Sequence, residues 1–308
     1  MITRHIELDP RAPIGVFDSG VGGLDVAAEL TLTLPHERLI YLGDTARVPY
    51  GTRTPQEVKR FTEEAVEALI KLGVKAVVLA CNTASAWALE ELKTRVQVPL
   101  FGMIEAGVEA SAAALGALRS LERASPAGVL ILATPRTIDS GAYQRRFLKT
   151  PPFDASPLYA LACPVFVPLV EAGWAQSELS VLAAARYLQE LIDREGEQLR
   201  DEITLVLLGC THYPLLREAI EEGFERVLGR RVQVVDGARR VSLQLKATLE
   251  TQGLSAPPRS EATSQARPEL HALYTTGELD KTRALAERFW RARLGHELPP
   301  LQRLSISA

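Results

Sequence analysis

Strand-sized apolar runs alternate with amphipathic helical stretches along nearly the whole chain. That alternation confines it to α/β architectures with mainly parallel sheets. The apolar runs are Ile14–Asp18, Leu39–Leu42, Ala76–Ala80, Leu100–Phe101, Gly128–Ala133, Leu158–Leu161, Thr204–Leu208, Val232–Val235 and Leu270–Thr275. Helical periodicity is read over Gly23–Leu34, Pro55–Leu72, Ser85–Thr94, Glu105–Leu121, Ile138–Leu148, Ser177–Arg194, Leu215–Leu228, Ala238–Glu250 and Lys281–Leu294. A chain of 308 residues has room for two such domains or one large one, each able to bury a core.

A weak internal duplication runs through this pattern. The run Ile14–Ser19 is echoed by Gly128–Thr134, and the strand ending at Cys81 by the strand ending at Cys210. Cys81 is followed by Asn82 and Thr83, and Cys210 by Thr211 and His212. Each reads as a buried strand whose last residue is a thiol, with short polar side chains opening the next helix. A thiol beside a helix N-terminus is placed where its thiolate is stabilised. A single buried cysteine is more often inert packing. Two in matching settings point to a paired acid and base, and open α/β sheets place sites beyond the carboxyl ends of their strands. Asn82, Thr83 and Thr211, with the free N–H groups of the helix starts, suit a carboxylate. His212 is placed to assist proton transfer at Cys210, or it is a satisfied structural histidine.

Other loops carry weaker signals. Asp18-Ser19-Gly20-Val21-Gly22-Gly23 follows the first strand, but Asp25 stands where a dinucleotide fingerprint needs glycine, and no Walker lysine follows. The segment is either a tight strand–helix turn or a carboxylate and hydroxyl that receive an ammonium. The loop Gly43-Asp44-Thr45 through Val48-Pro49-Tyr50-Gly51 is polar and stiff, with Tyr50 able to cover a pocket, though a plain surface loop reads the same way. Thr134-Pro135-Arg136-Thr137 offers two hydroxyls, with Thr137 as a helix cap that could also bind ligand. Cys163 has no polar escort and reads as structural. Glu171 ends an apolar loop and is either a solvated helix start or a site acid.

Composition excludes several classes. A formal net charge of −3 gives no electrostatic case for nucleic acid, and no apolar run is long enough to span a bilayer. Three widely spaced cysteines without C-x-x-C argue against a disulfide framework and point to the cytoplasm. Scattered histidines without H-E-x-x-H make a metal site unexpected. Residues 1–12 read as a weakly ordered extension and not a secretory signal. Residues 251–268, rich in Ser, Pro, Ala and Gln, read as a mobile loop.

Assembled, these segments resemble the glutamate racemases of the aspartate/glutamate racemase superfamily. The matching stretches are Gly15-Val16-Phe17-Asp18-Ser19-Gly20-Val21-Gly22-Gly23-Leu24, Gly43-Asp44-Thr45 with Pro49-Tyr50-Gly51, and Ala80-Cys81-Asn82-Thr83-Ala84-Ser85. They continue through Cys163-Pro164 to Glu171, then Gly209-Cys210-Thr211-His212-Tyr213-Pro214-Leu215 and Val235-Asp236. Two departures stand out. Ala133-Thr134-Pro135-Arg136-Thr137 replaces the usual Gly-Thr-x-Gly-Thr, and Gly237 stands where serine is common.

The resemblance implies two pseudosymmetric α/β domains with the active site in the cleft between them. Residues 13–105 plus 232–300 would form the first and residues 106–231 the second. It implies cofactor-independent interconversion of L- and D-glutamate, supplying D-glutamate for peptidoglycan, and a homodimer is expected. Cys81 and Cys210 would exchange protons with the substrate, with Asp18, His212 and Glu171 tuning the thiols. Asp18, Ser19, Pro49, Tyr50, Gly51, Asn82, Thr83, Thr134, Thr137 and Thr211 match positions that bind or surround the substrate. No lysine falls inside a site motif, so a pyridoxal Schiff base is unsupported. An aspartate racemase, or a non-catalytic amino-acid-binding or regulatory protein of the same fold, stays open as an alternative. A single-thiol decarboxylase is disfavoured by the second cysteine.

Overall fold

Parallel pairing organises the chain into two sheets, each within its own compact unit. The computed structural model describes residues 8–120, 128–151, 153, 156–258 and 270–306. One unit comprises Met1–Gly102 with Val241–Ala308, the other Met103–Arg240. The first unit begins β1 Ile14–Asp18, α1 Leu24–Thr33, β2 Leu39–Gly43, α2 Pro55–Lys71, β3 Ala76–Leu79, α3 Asn82–Lys93 and β4 Leu100–Gly102. The second runs α4 Met103–Ser120, β5 Gly128–Ala133, α5 Pro135–Asp139, α6 Ala142–Phe147, β6 Leu158–Ala162, α7 Phe166–Glu171, α8 Glu178–Glu195, α9 Leu199–Glu202, β7 Ile203–Gly209, α10 Arg217–Leu228 and β8 Gln233–Val235. Helix α11 Ala238–Thr251 leads back to the first unit, which ends with β9 Leu270–Thr275, α12 Leu279–Leu294 and β10 Leu301–Arg303.

The first sheet has the order β10-β9-β2-β1-β3-β4 and the second β6-β5-β7-β8, every pair parallel. The stretch β2-β1-β3-β4 therefore repeats as β6-β5-β7-β8. The duplication suspected from sequence is a duplication of topology, and β3 and β7 occupy equivalent positions. Central strands of such sheets are covered on both faces, which is why β1, β3 and β5 are buried at every residue. Helix α2 shows how local sequence and packing agree. Thr54 and Glu57 form a reciprocal capping box and Pro55 takes the first helical position. Val58, Phe61, Thr62, Ala65, Val66 and Leu69 then bury one face.

Several boundaries differ from the sequence reading. The sequence reading places Val232–Val235 in the first domain, but β8 pairs with β7 in register Val206↔Val234. The second unit thus extends to Arg240, because ladder pairing and not chain order decides membership. The single helix expected over Ile138–Leu148 is two, since Gly141 at φ 62° interrupts it. The apolar segment before Glu171 is not a loop but α7. Its Pro168 lies in the first turn, where no N–H partner is needed, and Phe166, Leu169 and Val170 bury one face.

The amino-terminal stretch is more anchored than expected. Ala12 N–H donates to Asp9 O, and the Pro10 carbonyl accepts from buried Lys75 Nζ at 2.6 Å. The same ammonium pairs with Glu37 at 2.5 Å and donates to Leu254 O at 2.7 Å, which anchors the chain at Leu254. Residues 1–7 and 259–268 of those two expected mobile segments lie outside the described residues.

Candidate active site

Strand β1 delivers Asp18, fully buried, at its carboxyl end. The Asp18 carboxylate Oδ2 accepts the Gly20 N–H at 2.9 Å, closing a turn that carries Ser19. Two residues beyond β3, Cys81 is the N-cap of α3, and its sulfur accepts the Ala84 N–H at 3.5 Å. The helix starts at Asn82, three residues earlier than the periodicity suggested. Asn82, Thr83 and Ser85 therefore line its buried first turn. Short polar side chains compete with the interior of a helix but suit its opening, which explains the segment's weak helical pattern. Ser19 Oγ and Cys81 Sγ stand 3.4 Å apart. The sequence-predicted Asp18, Ser19, Cys81, Asn82 and Thr83 thus belong to one constellation in the first unit.

The Pro49–Gly51 loop is built around a carboxylate that the sequence does not mark as a site residue. Asp44, fully buried, accepts from Tyr50 Oη at 2.6 Å, Arg47 Nε at 2.7 Å and Thr276 Oγ1 at 2.7 Å. Arg47 also pairs with Glu64 and lies over the Phe61 ring at 4.1 Å. Burial, then the neighbouring Asp44, push the Tyr50 phenol far above its ordinary range, so it remains a neutral donor. Asp44 was legible as part of a polar loop, but Thr276 comes from the far end of the sequence and left no local signal.

In the second unit, Cys210 follows β7 directly and is 8% exposed. The helix expected next is preceded by a 3-10 turn, Tyr213–Leu216, so α10 opens only at Arg217. The two thiols are equivalent in strand position but not in capping. His212 is buried, and its Nε2 stands 3.2 Å from Glu171 Oε1 at the end of α7. Glu171 is therefore the acid side of an ion-pair-capable contact and not a free helix start. Thr211 is buried beside them.

Thr134, not Thr137, caps α5. Its Oγ1 accepts the Thr137 N–H at 3.4 Å and lies 3.0 Å from Thr137 Oγ1. Pro135 occupies the first helical position, so the residue that departs from the family's pattern is compatible with the cap. At Gly237 space is tight: a Cβ there would lie 3.0 Å from Gly107 N and 3.1 Å from Met103 Cε. Cys163 is fully buried, and burial followed by the nearby Cys210 raises its thiol well above the ordinary value. Its carbonyl accepts from Tyr213 Oη at 2.9 Å, in keeping with a structural part.

Both constellations sit at carboxyl ends of parallel strands, with one thiol each and hydroxyls close by. Among the described residues no group of three or more His, Cys, Asp or Glu could hold a metal ion, and no helix is long and apolar enough to cross a membrane. Comparison with known proteins agrees with this geometry. Residues 24–241 match the family model described as Asp/Glu/Hydantoin racemase. The chain is 38% identical to a glutamate racemase of Lysinibacillus sphaericus over 278 residues, which is 90% of this chain and 94% of that one. It is 39% identical to a glutamate racemase of Thermus thermophilus over 298 residues, 97% and 98% of the two chains. The crystal structure of a Francisella tularensis glutamate racemase in complex with D-glutamate is similar at a TM-score of 0.77 and 32% identity, covering 96% of this chain and 98% of that one. With two topologically equivalent strand ends each bearing a thiol, and relatives matched over nearly its full length, this chain belongs to the Asp/Glu/Hydantoin racemase family.

Proposed function

We propose that this chain interconverts L- and D-glutamate without a cofactor, using Cys81 and Cys210 on opposite faces of the α-carbon. The observation that carries the reading is the equivalence of the two thiols. They follow β3 and β7, strands in matching positions of the repeated sheet order, in a chain similar throughout its length to glutamate racemases. A thiolate on one face removes the α-proton, the C–H electron pair stays on the α-carbon, and the opposite thiol returns a proton. Redox state is unchanged and the centre is inverted. By likeness to the family, Cys81 takes the proton from D-glutamate and Cys210 from L-glutamate.

An amino-acid α-proton is far less acidic than a thiol, so electrostatic preorganisation around the developing carbanion must lower the barrier. In this reading Asp18 and Ser19 receive the ammonium. Asn82, Thr83, Thr134, Thr137 and Thr211 hold the carboxylates, and Pro49, Tyr50 and Gly51 cover the substrate. The enzyme works in the cytoplasm, as a homodimer, and supplies D-glutamate for peptidoglycan.

The test is incubation with L-glutamate in D₂O. The circular-dichroism signal should decay to zero while deuterium enters Cα, with aspartate in parallel showing much slower exchange. Tight glutamate binding without exchange would mean a binding protein instead.

The His212–Glu171 contact makes a second expectation. A buried imidazole beside a carboxylate can help move the proton at Cys210. His212→Asn should lower kcat by about 10²-fold, within the range of general acid–base effects. Glu171→Gln, which keeps a hydrogen-bonding partner and removes only the charge, should lower it by roughly tenfold. Steady-state racemisation in both directions measures each. An unaltered kcat in His212→Asn would leave the histidine a structural role only.

A further inference from the structure

The turn that brings Ser19 to Cys81 is held from outside by a side chain that plays no part in the mechanism above. Tyr41 lies in β2, opposite Val16 of β1, and is 1% exposed. Its hydroxyl donates to the Gly20 carbonyl at 3.0 Å. Residues two apart on a strand share a face, so Tyr41 and Gly43 point the same way. A Cβ on Gly43 would stand 2.3 Å from that carbonyl and 3.2 Å from Tyr41 Cε1. The missing side chain opens a slot, the Gly20 carbonyl enters it, and the Tyr41 hydroxyl reaches across to bind it. Two further bonds complete the grip, from Gly20 N–H to Asp18 Oδ2 at 2.9 Å and from Asp44 N–H to Asp18 O at 2.9 Å. Ser19, between the two anchored residues, has little freedom left, and its hydroxyl rests 3.4 Å from the Cys81 sulfur.

We propose that Tyr41 is a positioning residue which, by holding the Gly20 carbonyl, fixes the Ser19 hydroxyl against Cys81 and so sets proton-transfer geometry at that thiol and not at Cys210. The proposal rests on the two-thiol reading above and names a residue that makes one of the two proton transfers efficient. Burial, then the Asp18 and Cys81 charges, raise the Tyr41 phenol well above its ordinary value. It therefore acts as a permanent neutral donor and not as an acid or base. The second unit uses a buried tyrosine hydroxyl differently near Cys210. There Tyr213 Oη binds the Cys163 carbonyl, on a structural residue.

The experiment compares wild type with Tyr41→Phe, which removes one hydroxyl and keeps the ring. Thermal unfolding confirms that the variant folds. Because enantiomers have an equilibrium constant of one, kcat/KM must fall by the same factor in both directions, here about tenfold for one lost hydrogen bond in a catalytic support. The diagnostic readout is the α-deuterium isotope effect on kcat/KM. With the Cys81 step made slower, the effect should rise for D-glutamate, whose α-proton Cys81 removes. It should fall for L-glutamate, where Cys81 only reprotonates.

A second arm needs no turnover. Iodoacetamide labelling followed by peptide mass spectrometry should show Cys81 alkylated at least about threefold faster in Tyr41→Phe, as the loosened turn uncovers a buried sulfur, with Cys210 unchanged. Isotope effects unchanged from wild type in both directions, or Cys81 labelling that is unchanged or slower, would overturn the positioning role. If wild type itself fails to exchange the α-proton in D₂O, the glutamate reading falls, while the labelling arm still scores the Tyr41 contact separately.

Discussion

Cys81→Ser and Cys210→Ser are each expected to reduce glutamate racemisation by about 10³-fold or more while leaving the protein folded. A hydroxyl is a far weaker acid than a thiol, and without its own activating base it supplies almost no anion at neutral pH. Removing either acid–base partner therefore stops the inversion, on the scale of general acid–base losses. Stability should behave differently at the two positions. The Cys81 sulfur caps α3 by accepting the Ala84 N–H, and serine is among the preferred N-cap residues. Cys81→Ser should thus be as stable as wild type or more stable, by up to about 1 kcal/mol. Cys210 makes no such cap, so its serine variant should be neutral or slightly destabilised. Circular-dichroism racemisation assays alongside thermal unfolding separate these effects. Normal turnover by either variant would sink the two-thiol mechanism.

Gly43→Ala should be the most damaging single methyl in the first unit. The added Cβ would lie 2.3 Å from the Gly20 carbonyl oxygen, a contact that real side chains do not make. Neither partner is a flexible tip: β2 is a strand interior to the sheet, and the oxygen belongs to the turn that places Ser19 and Asp18. Relief requires the turn to shift, breaking the Tyr41 bond and displacing Ser19 from Cys81. Overpacking of this kind costs about 1–3 kcal/mol, and a displacement near 1 Å at a reacting centre costs about 10²-fold in rate. Urea denaturation and steady-state kinetics should show both losses together. A variant with wild-type activity would mean that the turn does not control the thiol.

The fold could be read from the sequence wherever local pattern and tertiary role coincide. β1, β5 and β9 end where their apolar runs end, and the two strand–thiol segments lie on equivalent strands because buried parallel strands need continuous apolar residues. The reading failed where partners outvoted pattern. Helix α7 was obscured by Pro168, which is harmless only because it falls in the first turn. Strand β10, three residues long, is too short to show a period and exists because β9 offers an edge. β8 follows β7 because it pairs with it, a choice invisible in its own three residues.

Residue chemistry and spacing by themselves therefore determined the α/β class, the repeated half, the paired thiols and the polar side chains that follow them. Only the tertiary structure decided which groups meet. His212 finds Glu171 across 41 positions, Asp44 finds Thr276 across 232, and Tyr41 reaches Gly20 through the gap left by Gly43. Periodicity is a local consequence of backbone geometry, whereas these contacts depend on which strands become neighbours and how closely their ends approach.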